Sequence, residues 1–362
     1  MVTTATRFRS NDGTQGAGAR QKTAAPVLKT VNLALQGGGA HGAFAWGVLD
    51  RLLEEERLSF EGITACSAGA MNAAVMAYGL TEGGREGART ALSNFWRRIS
   101  HSAIFSPLQP TLWDRLTHNH ALESSPVFVA FDIMTRLMSP YEFNPMNVNP
   151  LREVLSASVD FERLHQGCAV KLFLSATNVC SGKVKIFSNP EITVDAVLAS
   201  ACLPFMFQAV EIDGEHYWDG GYMGNPAIYP VIYDCQSSDV VVVHINPIAR
   251  CSEPRTARDI LNRINEISFN SSLMREMRAI AFVTRLIDEQ RICDGSLKRM
   301  NIHAIAAEDF MRELSVSSKL NPDWEFLTHL RDVGRAQADA WLTRAFDKVG
   351  VESSIDIHDM YL

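Results

Sequence analysis

The chain has 362 residues, 46% hydrophobic and 21% charged, which is an ordinary globular composition. Its formal net charge of -7 argues against a general nucleic-acid binder, which needs a basic face. No run reaches ~18 uninterrupted apolar residues, so no transmembrane segment is expected.

Residues 1–27, MVTTATRFRSNDGTQGAGARQKTAAPV, are polar, small and mildly basic. They lack the apolar run of a secretory signal, and a flexible, uncleaved tail is expected there rather than an organelle-targeting segment. TVNLALQ (30–36) reads as a short buried strand running into glycine. Beyond the glycines, Phe44, Val48 and Leu52, with Ala45 and Leu49 beside them, mark one face of a helix reaching about Glu56. GITACS (62–67) reads as a second strand, and Met71, Ala74, Val75 and Tyr78 as the stripe of a second helix. This alternation of strand, Gly turn, helix, strand, Ser turn and helix predicts a parallel sheet covered by helices.

Residues 104–149 are less regular, rich in Pro, Phe and Met, and read as an insertion. Within it, VFVAFDIMTRLM (127–138) reads as a buried helix, with a lid or a lipid-facing helix as the alternative. Further strands are expected at 169–177, 183–188 and 239–246, and the apolar run 240–243 suits a central strand buried on both faces. From about Thr256 the pattern turns helical, and LTHLRDVGRAQADAWLTRAF (327–346) forms another helix. The expected organisation is a tail over 1–27, an α/β domain over 28–248, a helical extension over 249–346 and a loose C-terminal tail over 347–362. The extension could cover the sheet, pack on the insertion or form a homodimer surface. Seven cysteines, with no CxxC pair, argue against a disulfide framework or a zinc site. They fit a reducing, cytoplasmic setting, free or peripheral on a membrane or a lipid or polyester granule.

The chemistry-bearing stretch is LALQGGGAHGAF (33–44). A glycine loop between a strand and a helix gathers free backbone N–H groups at the positive helix end, and so makes an anion site. Three anions suit it. Gly37, Gly39 and Gly42 satisfy the dinucleotide pattern G-x-G-x-x-G, but the acidic reader would be Glu61 or one of residues 54–56. Glu61 precedes the end of the second strand, where the ribose should sit. A P-loop needs Gly-Lys-Ser/Thr, which GGAHGAFA lacks. An oxyanion hole needs a nucleophile nearby, and ACSAGA (65–70) supplies Ser67 at the next strand-to-helix turn. The elbow pattern G-x-S-x-G is kept at Gly69, with Ala65 in place of its first glycine. A serine needs a base. Asp219, in the Asp-Gly-Gly corner of IDGEHYWDGGYMGNPA (212–227), is the candidate, although alone such a corner reads as an ordinary turn.

Four features together resemble the patatin-like phospholipases: GGGAHG (37–42), CSAG (66–69), ASACLPFMFQAVEIDGEHYWDGG (199–221) and the trailing NPAIYPVI (225–232). They follow the family's order and spacing over residues 28–247. The resemblance implies a three-layer α/β/α sandwich with a mostly parallel sheet. It also implies hydrolysis of lipid carboxylic esters by a Ser-Asp dyad, without metal or cofactor. Ser67 is then the nucleophile and Asp219 the base. Gly38 and Gly39 are the oxyanion donors, with Gly37 and the Ala68 N–H close by. The implied partner is a lipid or membrane-surface ester, and no nucleic acid.

Two positions depart from the family pattern: Ala65, and His41, where many members carry Arg or Lys. A histidine there is expected to make the loop's anion affinity weaker and pH-dependent. His41, Gly42 and His244 are accessory candidates. Ser67, Asp219 and His244 also satisfy the Ser-Asp-His order of a triad esterase acting on a non-phospholipid ester or an intracellular polyester. An NAD(P)-binding protein and a non-enzymatic lipid-binding module are the readings from other classes.

Overall fold

The computed structural model describes residues 1–3, 28–102, 120–123, 125–250, 253–292, 295 and 297–362. The N-terminal tail beyond residue 3 and the early part of the insertion, 103–119, lie outside the described residues.

β1 (Lys29–Leu35) leads through the glycine loop into α1 (Gly42–Glu54), and β2 (Leu58–Ala65) leads through Ser67 into α2 (Ala68–Ser102), which bends at Gly83 and Gly84. The insertion contributes α3 (Pro126–Leu137), α4 (Pro140–Phe143), α5 (Pro150–Ser156) and α6 (Phe161–Gly167). Each of these begins on a Ser, Asn or Asp N-cap, and the first three carry proline in the first turn, where its missing N–H is harmless. Next come β3 (Lys171–Asn178), β4 (Val184–Ser188), α7 (Val194–Ser200), β5 (Val210–Ile212) and β6 (Glu215–Asp219). α8 (Tyr229–Asp234), β7 (Asp239–His244), α9 (Ala257–Asp288), β8 (Asn301–Ala306), α10 (Glu308–Glu313), α11 (Trp324–Ala345) and α12 (Ile357–Tyr361) complete the order.

The eight strands form one sheet in the order β5-β6-β3-β2-β1-β7-β8, with β4 also on β3. The pairs from β3 through β2, β1 and β7 to β8 are parallel, and those of β4, β5 and β6 are antiparallel. β7 shows why its continuous apolar run was needed: Val241 and Val243 enter one core, Val240 and Val242 the other. α1, α2, α7 and α11 cover the first face; α8, α9 and α12 cover the second. The expected three layers and mostly parallel sheet are therefore present.

Register alone brings the site together. β2 pairs residues 62–65 with residues 171–174 of β3, and β4 covers the opposite edge of β3 over residues 173–177. β6 must therefore take the same edge as β2, just beyond its end, where Asp219 pairs with Ala176. The last residue of β6 thus lands beside the turn that follows β2.

Three expectations differ from the structure. The region after residue 248 is not purely helical: β8 adds to the sheet beside β7 in parallel register. The last residues are not loose: Ser354 N–H bonds the Ile302 carbonyl at 3.1 Å, and Tyr361 is only 1% exposed. Ile355, Ile357, Met360 and Tyr361 join the second core and Val349 the first, which a pattern this short does not reveal. The helix read as buried, α3, buries only Phe128, while Val127, Ile133 and Leu137 are exposed.

Candidate active site

Ser67 has φ +54°, a left-handed conformation that costs energy in a residue with a side chain. Its surroundings hold it there. Ser67 N–H donates to Ser200 Oγ at 3.0 Å, and small residues press in from every side. A Cβ on Gly37 would stand 2.6 Å from Ser67 Cβ, and one on Gly42 2.7 Å from Ala68 Cβ. Alanine at position 65 is fully buried and is tolerated as the last residue of β2. Ser67 itself is half-buried between the buried residues Cys66 and Ala68, so its side chain is the part of the turn that reaches solvent.

The glycine loop is pinned by buried amides. Gly37 N–H donates to Asn225 Oδ1 at 2.7 Å, and its carbonyl accepts from Asn246 Nδ2 at 2.7 Å. Gln36 Oε1 accepts from the N–H groups of Ile245 and Asn246, while Gln36 Nε2 donates to Asn225 O and Asn270 Oδ1. Gly39 has φ +59°, and its backbone lies against the Lys319 carbonyl, so glycine is required there twice over. Among the described residues the N–H groups of Gly38, Gly39 and Ala68 bond no acceptor, and Ala68 opens α2. Gly37 therefore differs from the expectation. Its N–H is spent on Asn225, and it frames the loop without donating to an oxyanion.

Asp219 is completely buried. Its Oδ1 accepts from Gly221 N–H at 2.7 Å and from the Cys66 thiol at 3.4 Å, and Oδ2 has no hydrogen-bond partner. The Ser67 hydroxyl approaches closely enough to favour the ionised carboxylate, yet no hydrogen bond of standard geometry joins the two. Burial pushes the Asp219 carboxyl up to about 6, against the pull of the Gly221 N–H, Ser67, Cys66 and Lys319. Backbone bonds from Asp219 N to Cys202 O, at 2.8 Å, and from Thr177 Oγ1 to Asp219 O, at 2.9 Å, fix its main chain.

The accessory histidines fall elsewhere. His244 sits on the second face, its ring 6.0 Å from that of Tyr361, and bonds neither Ser67 nor Asp219. Burial holds it down at about 4, so it stays neutral near pH 7. His41 is also buried, with Nε2 2.7 Å from Ser318 Oγ. Burial, then Lys319 and Arg250, hold it well below the usual histidine range, so the expected pH-dependence of the loop through His41 does not arise. Gly42 caps the 3₁₀ turn Gly39–His41 and starts α1, and packing against Ala68 explains its lack of a side chain.

The dinucleotide reading fares no better. The Glu61 carboxylate is occupied by the N–H groups of Gln236 and Ser237 and by Lys171. Among the described residues no cluster of His, Cys, Asp and Glu could hold a metal ion, and no helix is long and apolar enough to cross a membrane.

A serine at a strained strand-to-helix turn, a glycine loop packed on it and a buried acid beside it, on a mostly parallel sheet between two helical layers, define the class of fold. A sequence model of the family described as "Patatin-like phospholipase" matches residues 33–232. The chain belongs to that family, a class of carboxylic ester hydrolases. No curated protein sequence matches it. Among solved structures, VipD from Legionella pneumophila is 14% identical with a TM-score of 0.41, covering 86% of this chain and 66% of that one. The heterodimeric complex ExoU-SpcU from the type III secretion system of Pseudomonas aeruginosa gives 15% identity and a TM-score of 0.33, with 88% and 76% covered. This chain thus spans just under two thirds of the VipD chain, and overlaps this loose transfer no residue or partner.

Residues that the sequence did not mark as functional are Ser200, Asn225, Asn246 and Lys319. Ser200 and Asn225 lie in stretches that carried the family resemblance, and that was their one signal. Asn246 and Lys319 are distant in sequence from the glycine loop and follow no local pattern.

Proposed function

We propose that the chain hydrolyses lipid carboxylic esters through a Ser67–Asp219 dyad, with Gly38, Gly39 and Ala68 N–H groups forming the oxyanion hole. One observation carries this reading: Ser67 is held at φ +54° beside a fully buried carboxylate with one unbonded oxygen. Asp219 takes the Ser67 proton as Oγ attacks the ester carbonyl, and the carbonyl electrons move onto the oxygen facing the free N–H groups. The proton then passes to the leaving alcohol. Water, deprotonated by the same carboxylate, releases the acyl group from Ser67. A carboxyl raised to about 6 is a better proton acceptor than an ordinary aspartate and remains ionised near neutrality.

A lipid surface as the source of substrate is supported by the loop LPFMF (203–207). It is apolar yet not buried, with Phe205 69% exposed. It follows Cys202, whose carbonyl holds Asp219 N–H, so it borders the site.

The test is covalent labelling with a fluorophosphonate, followed by ester turnover. Labelling should map to Ser67 and vanish in Ser67→Ala, while His244→Gln keeps turnover within about threefold, since removing a true general base costs about 10²–10⁴-fold. A folded wild-type protein that is not labelled would overturn the reading; a folded but inactive His244→Gln would replace the dyad with a triad.

A further inference from the structure

Lys319 lies outside the residues that match the family, in the 3₁₀ turn Ser317–Leu320, and this turn packs on the glycine loop. Its backbone touches Gly39, and the preceding residue, Ser318, holds His41. The Lys319 ammonium donates one hydrogen bond, to Asn246 Oδ1 at 2.8 Å. Asn246 in turn donates to the Gly37 carbonyl at 2.7 Å. Three residues thus connect a cation to the loop that follows β1.

What the ammonium lacks is a counter-ion. Among the described residues no carboxylate lies within 4 Å of it. Burial, with Arg250, pushes its pKa below the usual lysine range, and two acids act against that from farther away, Glu266 and Asp219. Glu266 is already neutralised by Arg250 at 2.6 Å and Arg263 at 3.2 Å. Asp219 has no arginine or lysine partner within that range, so the nearby negative charge left uncompensated is the one at the site itself. The other charged or titratable neighbours are Arg250 and His41, and His41 is held neutral by burial.

We infer that Lys319 is the positioning cation of the active site. Held by Asn246 against the glycine loop, it supplies the positive charge toward which negative charge moves when Ser67 attacks. The inference rests on the acyl-hydrolase reading above. Before attack the negative charge is on Asp219. After attack the proton is on Asp219 and the charge is on the carbonyl oxygen at the glycine loop, to which the ammonium is linked through Asn246 and the Gly37 carbonyl. Lys319 also favours the first arrangement, ionised Asp219, so acceleration requires that it lower the energy of the second arrangement more, and kcat of the charge-removing variants reads that difference. A buried ammonium without an acid partner is unfavourable in the resting protein, and this use gives that arrangement a function.

The experiment uses the full chain with Lys319→Gln, Lys319→Met and Lys319→Arg. Turnover of a soluble p-nitrophenyl ester is measured across pH, alongside thermal melting. Gln keeps a donor to Asn246 without the charge, and Arg keeps the charge. Gln and Met are expected to lower kcat by about tenfold or more, with Arg recovering most of it. The acid limb should also move to higher pH in Gln and Met, because Lys319 favours ionised Asp219. A shift of that limb is a readout that a merely structural lysine would not move. Gln within about twofold of wild type at every pH, below the loss expected for an electrostatic contact, would overturn the inference while leaving the dyad intact. Loss of kcat with an unmoved acid limb and no recovery by Arg would also overturn it. If Met fails to fold, Gln and Arg decide the question. If the wild type neither labels with fluorophosphonate nor turns over ester, the dyad reading is what has failed.

Discussion

Asp219 is completely buried with one oxygen bonded and the other without a partner, and this produces two opposite pH trends. Its carboxyl is raised from 3.8 to about 6. On the proposed dyad, activity needs Asp219 ionised, so kcat/KM should rise through an apparent value near 6 and level off above it. Stability runs the other way. Between about 4 and 6 the folded chain keeps a proton that the unfolded chain releases, so this group's contribution falls as pH rises through that window. Above pH 6 the full penalty, on the order of 3 kcal/mol for such a shift, is in place. Asp219→Asn should therefore lower kcat by about 10²–10⁴-fold and yet raise the melting temperature at pH 7, with little gain at pH 4. Melting curves at the two pH values check this, and a lower melting temperature at pH 7 would contradict it. The turn at Ser67 was legible in the sequence from its small Gly and Ala neighbours, while Asp219, in a corner that alone reads as an ordinary turn, stood out only beside the serine and through the family resemblance. Gly37 was assigned to the oxyanion hole because nothing near it shows where its N–H goes, and its partner Asn225 is 188 residues away.

At the scale of elements, α11 is bound to α1 through two glycines. A Cβ on Gly47 would strike the Arg331 carbonyl, and one on Gly334 the Phe44 carbonyl, so the two helices meet backbone to backbone. Arg335 of α11 bonds Asp50 and Glu54 of α1, and Arg89 of α2 bonds the same two acids. α1 begins at the glycine loop, so this contact fixes the direction from which the loop's N–H groups project. Gly334→Val has no backbone strain to overcome in a helix interior, but its branched side chain must push the helices apart. A loss of about 1–3 kcal/mol is expected, with kcat lowered as well because the loop moves with α1. Urea denaturation and turnover measure the two effects, and a stability within about 0.5 kcal/mol of wild type would remove α11 from the account. β8 belongs to the same picture. The boundary expected near residue 248 separates β7 from a strand that pairs with it along its full length. We propose that residues 28–362 fold as one unit, so a chain ending at residue 248 should show no cooperative unfolding transition. A cooperative melt and retained turnover in that fragment would restore the two-part organisation. The composition of the later helices revealed their existence, but not that a strand lies among them, since NIHAIA is too short and too mixed to stand out.

For the molecule as a whole, the proposed function asks how a buried acid and a half-buried serine would receive an ester that prefers an apolar phase. The charge balance offers no attraction to an anionic surface, since the net charge is -7. Attachment must then come from apolar groups, each contributing through the surface it removes from water. Candidates lie together at the edge of the site. Phe205 is 69% exposed, Tyr141 56% and Met146 85%. Tyr141 Oη accepts from Ala209 N–H at 3.3 Å, and Gln208 Nε2 donates to the Asn144 carbonyl at 2.8 Å, so the two loops are joined. The sequence did not place these two segments near one another, because the bonds that join them are side chain to backbone and leave no periodic trace. If these loops meet a lipid surface, Phe205→Ser with Met146→Ser should cut turnover of vesicle-borne phosphatidylcholine by about tenfold. Burying two such side chains contributes about 1.5–3 kcal/mol each, part of it lost to incomplete insertion. Turnover of a soluble p-nitrophenyl ester should stay within about twofold, because neither residue bonds the serine, the acid or the glycine loop. Equal losses on both substrates would mean that the loops shape the site itself, and unchanged vesicle turnover would mean that lipid meets the protein on another face.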